Sequence, residues 1–172
     1  MAGTTYNLIA SQVVGSGGAS SITFSSIPQT YTDLKLVFSS RTASGGAADV
    51  AVTLNSDGGS NYPYKRLQGS GSSASSGGGT FTAMVAGSSD GSTDTSSSFA
   101  SSELYIPNYT SSNYKSGSTD AVTETTATTA YATLQAGLWN NTSAITSMSL
   151  FNTSGTSFAQ YTTAYLYGIK NS

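Results

Sequence analysis

LKLVF, residues 34–38, decides the fold class: Leu34, Leu36 and Phe38 stand two residues apart, with Lys35 and Val37 between them. In an extended strand successive side chains point to opposite faces, so those three large apolar groups share one face. The same step of two recurs along the chain. Val50, Val52 and Leu54 keep it, then Phe81, Ala83 and Val85, then Leu104 and Ile106. Within Tyr131–Trp139 it places Ala132, Leu134, Ala136 and Leu138 on one face, and it returns at Met148 and Leu150 and at Tyr165, Tyr167 and Ile169. Thr and Tyr fill many remaining positions, as suits a pleated, half-buried surface. No segment carries a helical period, although Tyr62–Leu67 leaves room for one short helical turn.

Turn clusters separate the runs: GSGGASS at 15–21, SIPQTYTD at 26–33, TASGGAAD at 42–49 and NSDGGSN at 55–61. Longer Ser/Gly tracts lie at 69–79 and 87–98. Short strands at near-regular spacing with Gly/Asn/Ser turns predict an all-β protein, a two-sheet antiparallel β-sandwich, jelly-roll-like, of about nine or ten strands. One domain spans 1–172, with residues 1–14 as either an N-terminal arm or the first strand. The tract at 69–79 reads as a flexible hairpin tip; the alternative is an adaptable edge that orders against a neighbouring subunit.

Composition narrows the function. Charged residues are 8 % of the chain, against roughly 25 % in an ordinary soluble domain. His and Cys are absent, and the formal net charge is −2. Eleven Tyr and six Phe argue against wholesale disorder. Six scattered Lys and Arg make no basic stripe for a phosphate backbone, so no nucleic-acid partner is expected. No apolar run approaches the ~20 residues that span a bilayer, and the N-terminal sequence carries no secretion signal; no membrane partner is expected. A near-neutral hydroxyl surface lacks the repulsion that keeps monomers apart, which favours life inside an assembly.

The chemistry-bearing residues are sparse. Acid–base catalysis needs His or paired carboxylates, whereas Asp33, Asp49, Asp57, Asp90, Asp94 and Asp120 lie singly in or beside turns, where Asp bonds its own backbone. The expectation is no catalytic residue, no enzyme, no cofactor. Asn55–Asn61 faintly resembles a Ca²⁺ loop but lacks its carboxylate count, so no metal is expected. Tyr62, Tyr64, Tyr109 and Trp139 are the candidate glycan or partner contacts, since aromatic faces stack on sugars. Tyr6, Leu8 and Ile9 are the candidate inter-subunit contacts, through strand addition from the N-terminal segment.

Five phrases carry a resemblance: ITFSSIPQTYTDLKLVFSSR at 22–41, LNSDGGSNY at 54–62, IPNYTSSNYK at 106–115, GLWNNTSAITSMSL at 137–150 and AYLYGIK at 164–170. Together they resemble small virion structural proteins of tailed bacteriophages. The resemblance implies a head-decoration or tail-associated role, and supplies no catalytic motif. The expected function is a capsid decoration (cement) protein, made in the host cytoplasm and seated on the virion's capsid surface. Its partners would be the major capsid protein and further copies of itself, with a homotrimer suggested by the local three-fold points of capsid lattices. The alternative is a tail or head-fibre binding module that recognises a cell-surface glycan.

Overall fold

The computed structural model describes residues 5–126 and 130–170. Its strands are β1 (Tyr6–Val13), β2 (Ile22–Phe24), β3 (Asp33–Ser40), β4 (Ala48–Leu54), β5 (Tyr62–Gly69), β6 (Ala74–Phe81), β7 (Met84–Ser89), β8 (Ala100–Ile106), β9 (Lys115–Thr123), β10 (Tyr131–Trp139), β11 (Met148–Asn152) and β12 (Thr163–Ile169). They form two antiparallel sheets, one of eight strands in the order β1-β12-β3-β8-β9-β10-β5-β6 and one of four in the order β2-β11-β4-β7. The described residues contain no helix. The fold is thus all-β and sandwich-like, with twelve strands where nine or ten were expected.

The core forms where the two sheets face each other. Leu34, Leu36 and Phe38 of β3, Leu104 and Ile106 of β8, and Ala164 and Leu166 of β12 meet Val50, Val52 and Leu54 of β4 and Met148 and Leu150 of β11. Each large side chain removed from water contributes about 1.5–3 kcal/mol, and the alternation of β3 is the pattern read from LKLVF. In β12 the inward residues are Ala164 and Leu166, while Tyr165 and Tyr167 lie half-buried on the outer face. The expected tyrosine face is therefore the outer one.

The eight-stranded sheet is twice as wide as its partner, and what the small sheet's last strand meets explains an odd pattern. β7 is the free edge of the four-stranded sheet, and it rests on β8, β9 and β10 of the large one. The fit is close. A Cβ on Gly117 would stand 3.1 Å from the Met84 Sδ, and one on Gly137 3.1 Å from the Met84 Cγ. The carbonyl of Val85 accepts hydrogen bonds from Thr119 Oγ1 at 3.2 Å and Gln135 Nε2 at 2.9 Å. Small and polar residues therefore face inward on β9 and β10 because they satisfy an edge backbone that has no strand neighbour.

Two segments differ from the sequence reading. Tyr62–Leu67 is strand β5, not a helical turn. Of the tract at 69–79, Ser70–Ser73 makes a tight turn, closed by Ser70 N–H to Ser73 O at 2.9 Å, and Ala74 onward is strand β6. Glycines and serines of low strand propensity are held there by continuous pairing with β5, from Gly69↔Ala74 to Tyr62↔Phe81. Phe81 closes β6, so it does not belong to one strand with Ala83 and Val85.

Candidate functional site

The most informative surface is the outer face of the large sheet beyond β8. Ala132, Leu134, Ala136 and Leu138 of β10 share one face, as their alternation predicts, and that face is the outer one. Gln135 and Trp139 take the buried positions. Leu134 is 58 % exposed and pairs across the ladder with Leu67 of β5, itself 56 % exposed. Ala132 pairs with Val122 of β9, 42 % exposed. Asp120 is the single charge directly opposite Leu134. This is apolar patterning presented to solvent.

Beside that face lies an open edge. All eight residues of β6, Ala74–Phe81, are exposed, and none carries a charge or is proline. At the opposite edge β1 is likewise uncharged. Natural sheets usually blunt such edges with Lys, Pro or bulges to prevent pairing with another chain. β1 has one irregularity, between Leu8 and Ala10. Tyr6 and Leu8 are more than half exposed there, Tyr6 meeting Tyr167 edge-on at 6.5 Å. Ile9 is partly buried and packs on the core of its own chain, so less of its side chain is open to a neighbour than of Tyr6 and Leu8. Residues 6–13 are thus a strand of the sheet and not a detached arm; residues 1–4 of the expected arm lie outside the described residues.

Three of the four candidate glycan contacts are core residues. Tyr62, Tyr109 and Trp139 are fully buried, and each polar tip is satisfied within the chain. Tyr62 donates to the Asp57 carbonyl at 2.9 Å, and burial pushes its hydroxyl pKa up to about 12. Tyr109 donates to the Pro28 carbonyl. Trp139 Nε1–H donates to Asp57 Oδ2 at 2.8 Å. No ring face of these three is free for a ligand, which corrects the sequence reading. Tyr64 alone is half-buried at the surface, stacked on Phe81 with centroids 4.7 Å apart and planes 13° from parallel.

The carboxylates act in structure. Asp57 holds the β4–β5 loop: Trp139, the Gly59 N–H at 2.9 Å and Asn61 Nδ2 at 3.0 Å all donate to it, and these bonds keep its pKa below the ordinary value. Asp33 accepts from Tyr105 Oη at 2.6 Å and Asn108 N–H at 2.9 Å. Asp90 is buried with neither oxygen in a hydrogen bond of good geometry; burial pushes its pKa up, with the Ser98 hydroxyl and the Arg41 charge opposing. Arg41 in turn ties down the loop 92–98 by donating to the carbonyls of Ser92, Asp94, Thr95 and Ser98 at 2.8–3.2 Å. Lys115 is buried without a carboxylate, donating to the Asn113 carbonyl with its Nζ 5.9 Å from the Trp139 ring centroid; burial lowers its pKa. Among the described residues no three His, Cys, Asp or Glu come together as a metal site. No described helix is long and apolar enough to cross a membrane.

A concave region lies where β4 and β11 of the small sheet meet β5 and the end of β6. Asp49 of β4 pairs with Arg66 of β5 at 3.1 Å and divides two cavities. The first, about 350 Å³, is lined by Phe81, Phe151, Ala51, Val85 and the threonines 82 and 153. The second, about 290 Å³, is lined by Arg66, Gln68, Tyr131, Thr133 and Ser88. From sequence Phe81 was a strand position and Asp49 a turn aspartate, while Phe151 and Arg66 drew no reading; the pairing of β5 with β6 is what brings Phe81 into one cavity with Asp49 of β4 and Phe151 of β11.

Comparison with protein-family models, with curated proteins and with solved structures finds no match.

Proposed function

We propose that this chain is a structural subunit of a tailed-bacteriophage virion, a decoration protein that seats on the major capsid lattice. The observation that carries the reading is the outward apolar face of β5, β9 and β10, centred on the Leu67–Leu134 pair. Its two companions are the uncharged edges β1 and β6, which suit strand addition between copies. The phrases resembling phage structural proteins give the lattice as partner, and the local three-fold points of such lattices suggest three copies per seat. The strand path supports a jelly-roll reading of the sandwich. β2-β11-β4-β7 and β3-β8-β5-β6 are the two four-stranded sheets of such a roll, with the meander β8–β10 standing where one strand would and β1 and β12 added at an edge.

The mechanism is linkage. A subunit that binds only the assembled lattice stabilises it by RT ln(1 + [L]/Kd), about 2.7 kcal/mol per site at a hundredfold excess over Kd. A symmetric oligomer adds avidity with no new contact per copy. The test is the number and place of this chain in purified virions. Hundreds of copies spread over the head support the proposal. About a dozen confined to the tail, or none, would refute it.

A further inference from the structure

We propose that the groove divided by Asp49 and Arg66 is a binding site for a neutral saccharide, with one sugar ring lying on Phe81. Three observations carry this, none of which depends on the capsid reading.

First, Phe81 is a ready platform. It ends β6, is 44 % exposed and lines the larger cavity. Tyr64, stacked on it at 4.7 Å, is not part of that cavity's wall. One face of Phe81 is therefore backed and its orientation fixed, and the other is left for a ligand. Stacking on a neighbour removes rotamer freedom before binding, so less entropy is lost when a ring settles there.

Second, polar groups stand at the edge of this apolar floor. Asp49 Oδ2 accepts from Arg66 Nη1, and Oδ1 accepts no hydrogen bond among the described residues. Thr82 and Thr153 add hydroxyls in the same cavity, and Gln68 and Thr133 add amide and hydroxyl groups beyond Arg66. A pyranose presents just this pairing of surfaces: an apolar C–H face and a rim of hydroxyls that both donate and accept. A hydroxyl that donates to Asp49 while accepting from Arg66 makes two charge-assisted bonds at once. Cavities of about 350 and 290 Å³, adjoining at one ion pair, suit two or more successive sugar units.

Third, charge selects the class. The carboxylate and the guanidinium at the dividing wall neutralise each other, and among the described residues neither cavity is lined by a further Lys or Arg. An acidic sugar would have to displace Asp49 from Arg66. A neutral one adds to the pair without breaking it.

The experiment is titration of the full chain with neutral tetrasaccharides of glucose, galactose and mannose type, and with a uronate tetrasaccharide, read by ligand-observed NMR and calorimetry. The expected result is binding of at least one neutral series with Kd on the order of a millimolar or tighter. Phe81→Ala and Asp49→Asn each weaken it about tenfold or more, while Phe81→Trp holds or tightens it. All three variants should keep the parent's circular dichroism and stay folded at the titration temperature, with Phe81→Ala melting a few degrees lower for its lost stacking on Tyr64. No binding by any neutral series, equal binding by the parent and Phe81→Ala, or preference for the uronate would each overturn the proposal. Head binding is measured separately, so failure here leaves the capsid reading standing, and the reverse.

Discussion

Replacing Leu67 and Leu134 together by serine separates the outward face of β5 and β10 from everything that holds the fold. Their side chains keep 56 % and 58 % of their exposure. Fully burying a leucine contributes about 1.5–3 kcal/mol, so a little over half of that is left to be gained on docking, about 1 kcal/mol each. The pair should thus contribute about 2 kcal/mol per subunit, or about 30-fold in Kd at 1.4 kcal/mol per tenfold. Folding stability should move by no more than about 0.5 kcal/mol, the usual range for exposed positions. The assay is co-sedimentation of purified chain with expanded empty heads over a concentration series, alongside urea denaturation of the free variant. Kd within threefold of the parent's, with full folding, would show that this face does not meet the lattice. A large loss of folding stability would show instead that the leucines support the chain's own structure.

Lysines at Ser75 and Gly77 of β6 should leave the fold intact, since both positions are exposed and a Cβ at Gly77 meets nothing within 4 Å. Sedimentation should then show oligomers falling toward monomer; unchanged self-association would clear β6 of the role. Two carboxylates give the pH dependence opposite signs. Asp90 has a raised folded pKa, so its stabilising contribution is complete below the ordinary carboxylate value and is lost as pH rises through the folded value; Asp90→Asn should flatten that decline in thermal melts. Asp57 has a lowered folded pKa, so its contribution is present above the ordinary value and is lost as pH falls through the folded one; Asp57→Asn should abolish that acid-side loss, and an unchanged acid limb would count against the Trp139 bond as its cause. Gly168→Ala places a Cβ 2.3 Å from Cγ of the Tyr31 ring and should cost about 1–3 kcal/mol by urea denaturation; no loss would mean that the ring moves aside freely.

The architecture was legible wherever burial and alternation agree. LKLVF and the Val50, Val52, Leu54 run lie as read, because both sheets cover those positions. On β10 alternation identified the apolar face but left its side open: a period of two says which residues are together and not which way they point. The Ser/Gly tract is a hairpin tip only at Ser70–Ser73; from Ala74 it is a strand that little in ASSGGG favours, and its order comes from β5. Tyr62, Tyr109 and Trp139 were chosen for their residue type, and burial withdrew them. Phe81 and Asp49 are separated by 32 positions, so only strand pairing makes them neighbours. Parts of two of the quoted phrases touch each other in the fold. In the IPQTYTDL stretch Tyr31 lies on Gly168 of LYGI, and the Thr32 N–H donates to the Ile169 carbonyl at 2.8 Å.

The pairing of β1 with β12 joins the first and last strands, with Tyr6 opposite Ile169. β1 precedes all of β2–β11, so during synthesis it waits through those ten strands before its partner exists. Closure over so great a sequence separation is slow compared with making a hairpin. During that interval each nascent molecule carries an unclaimed, charge-free ribbon, which the β12 of another copy can take up if that copy's own β1 has not yet closed on it. Exchange of β1 between copies would then be decided by local concentration at the site of synthesis, before any lattice is met.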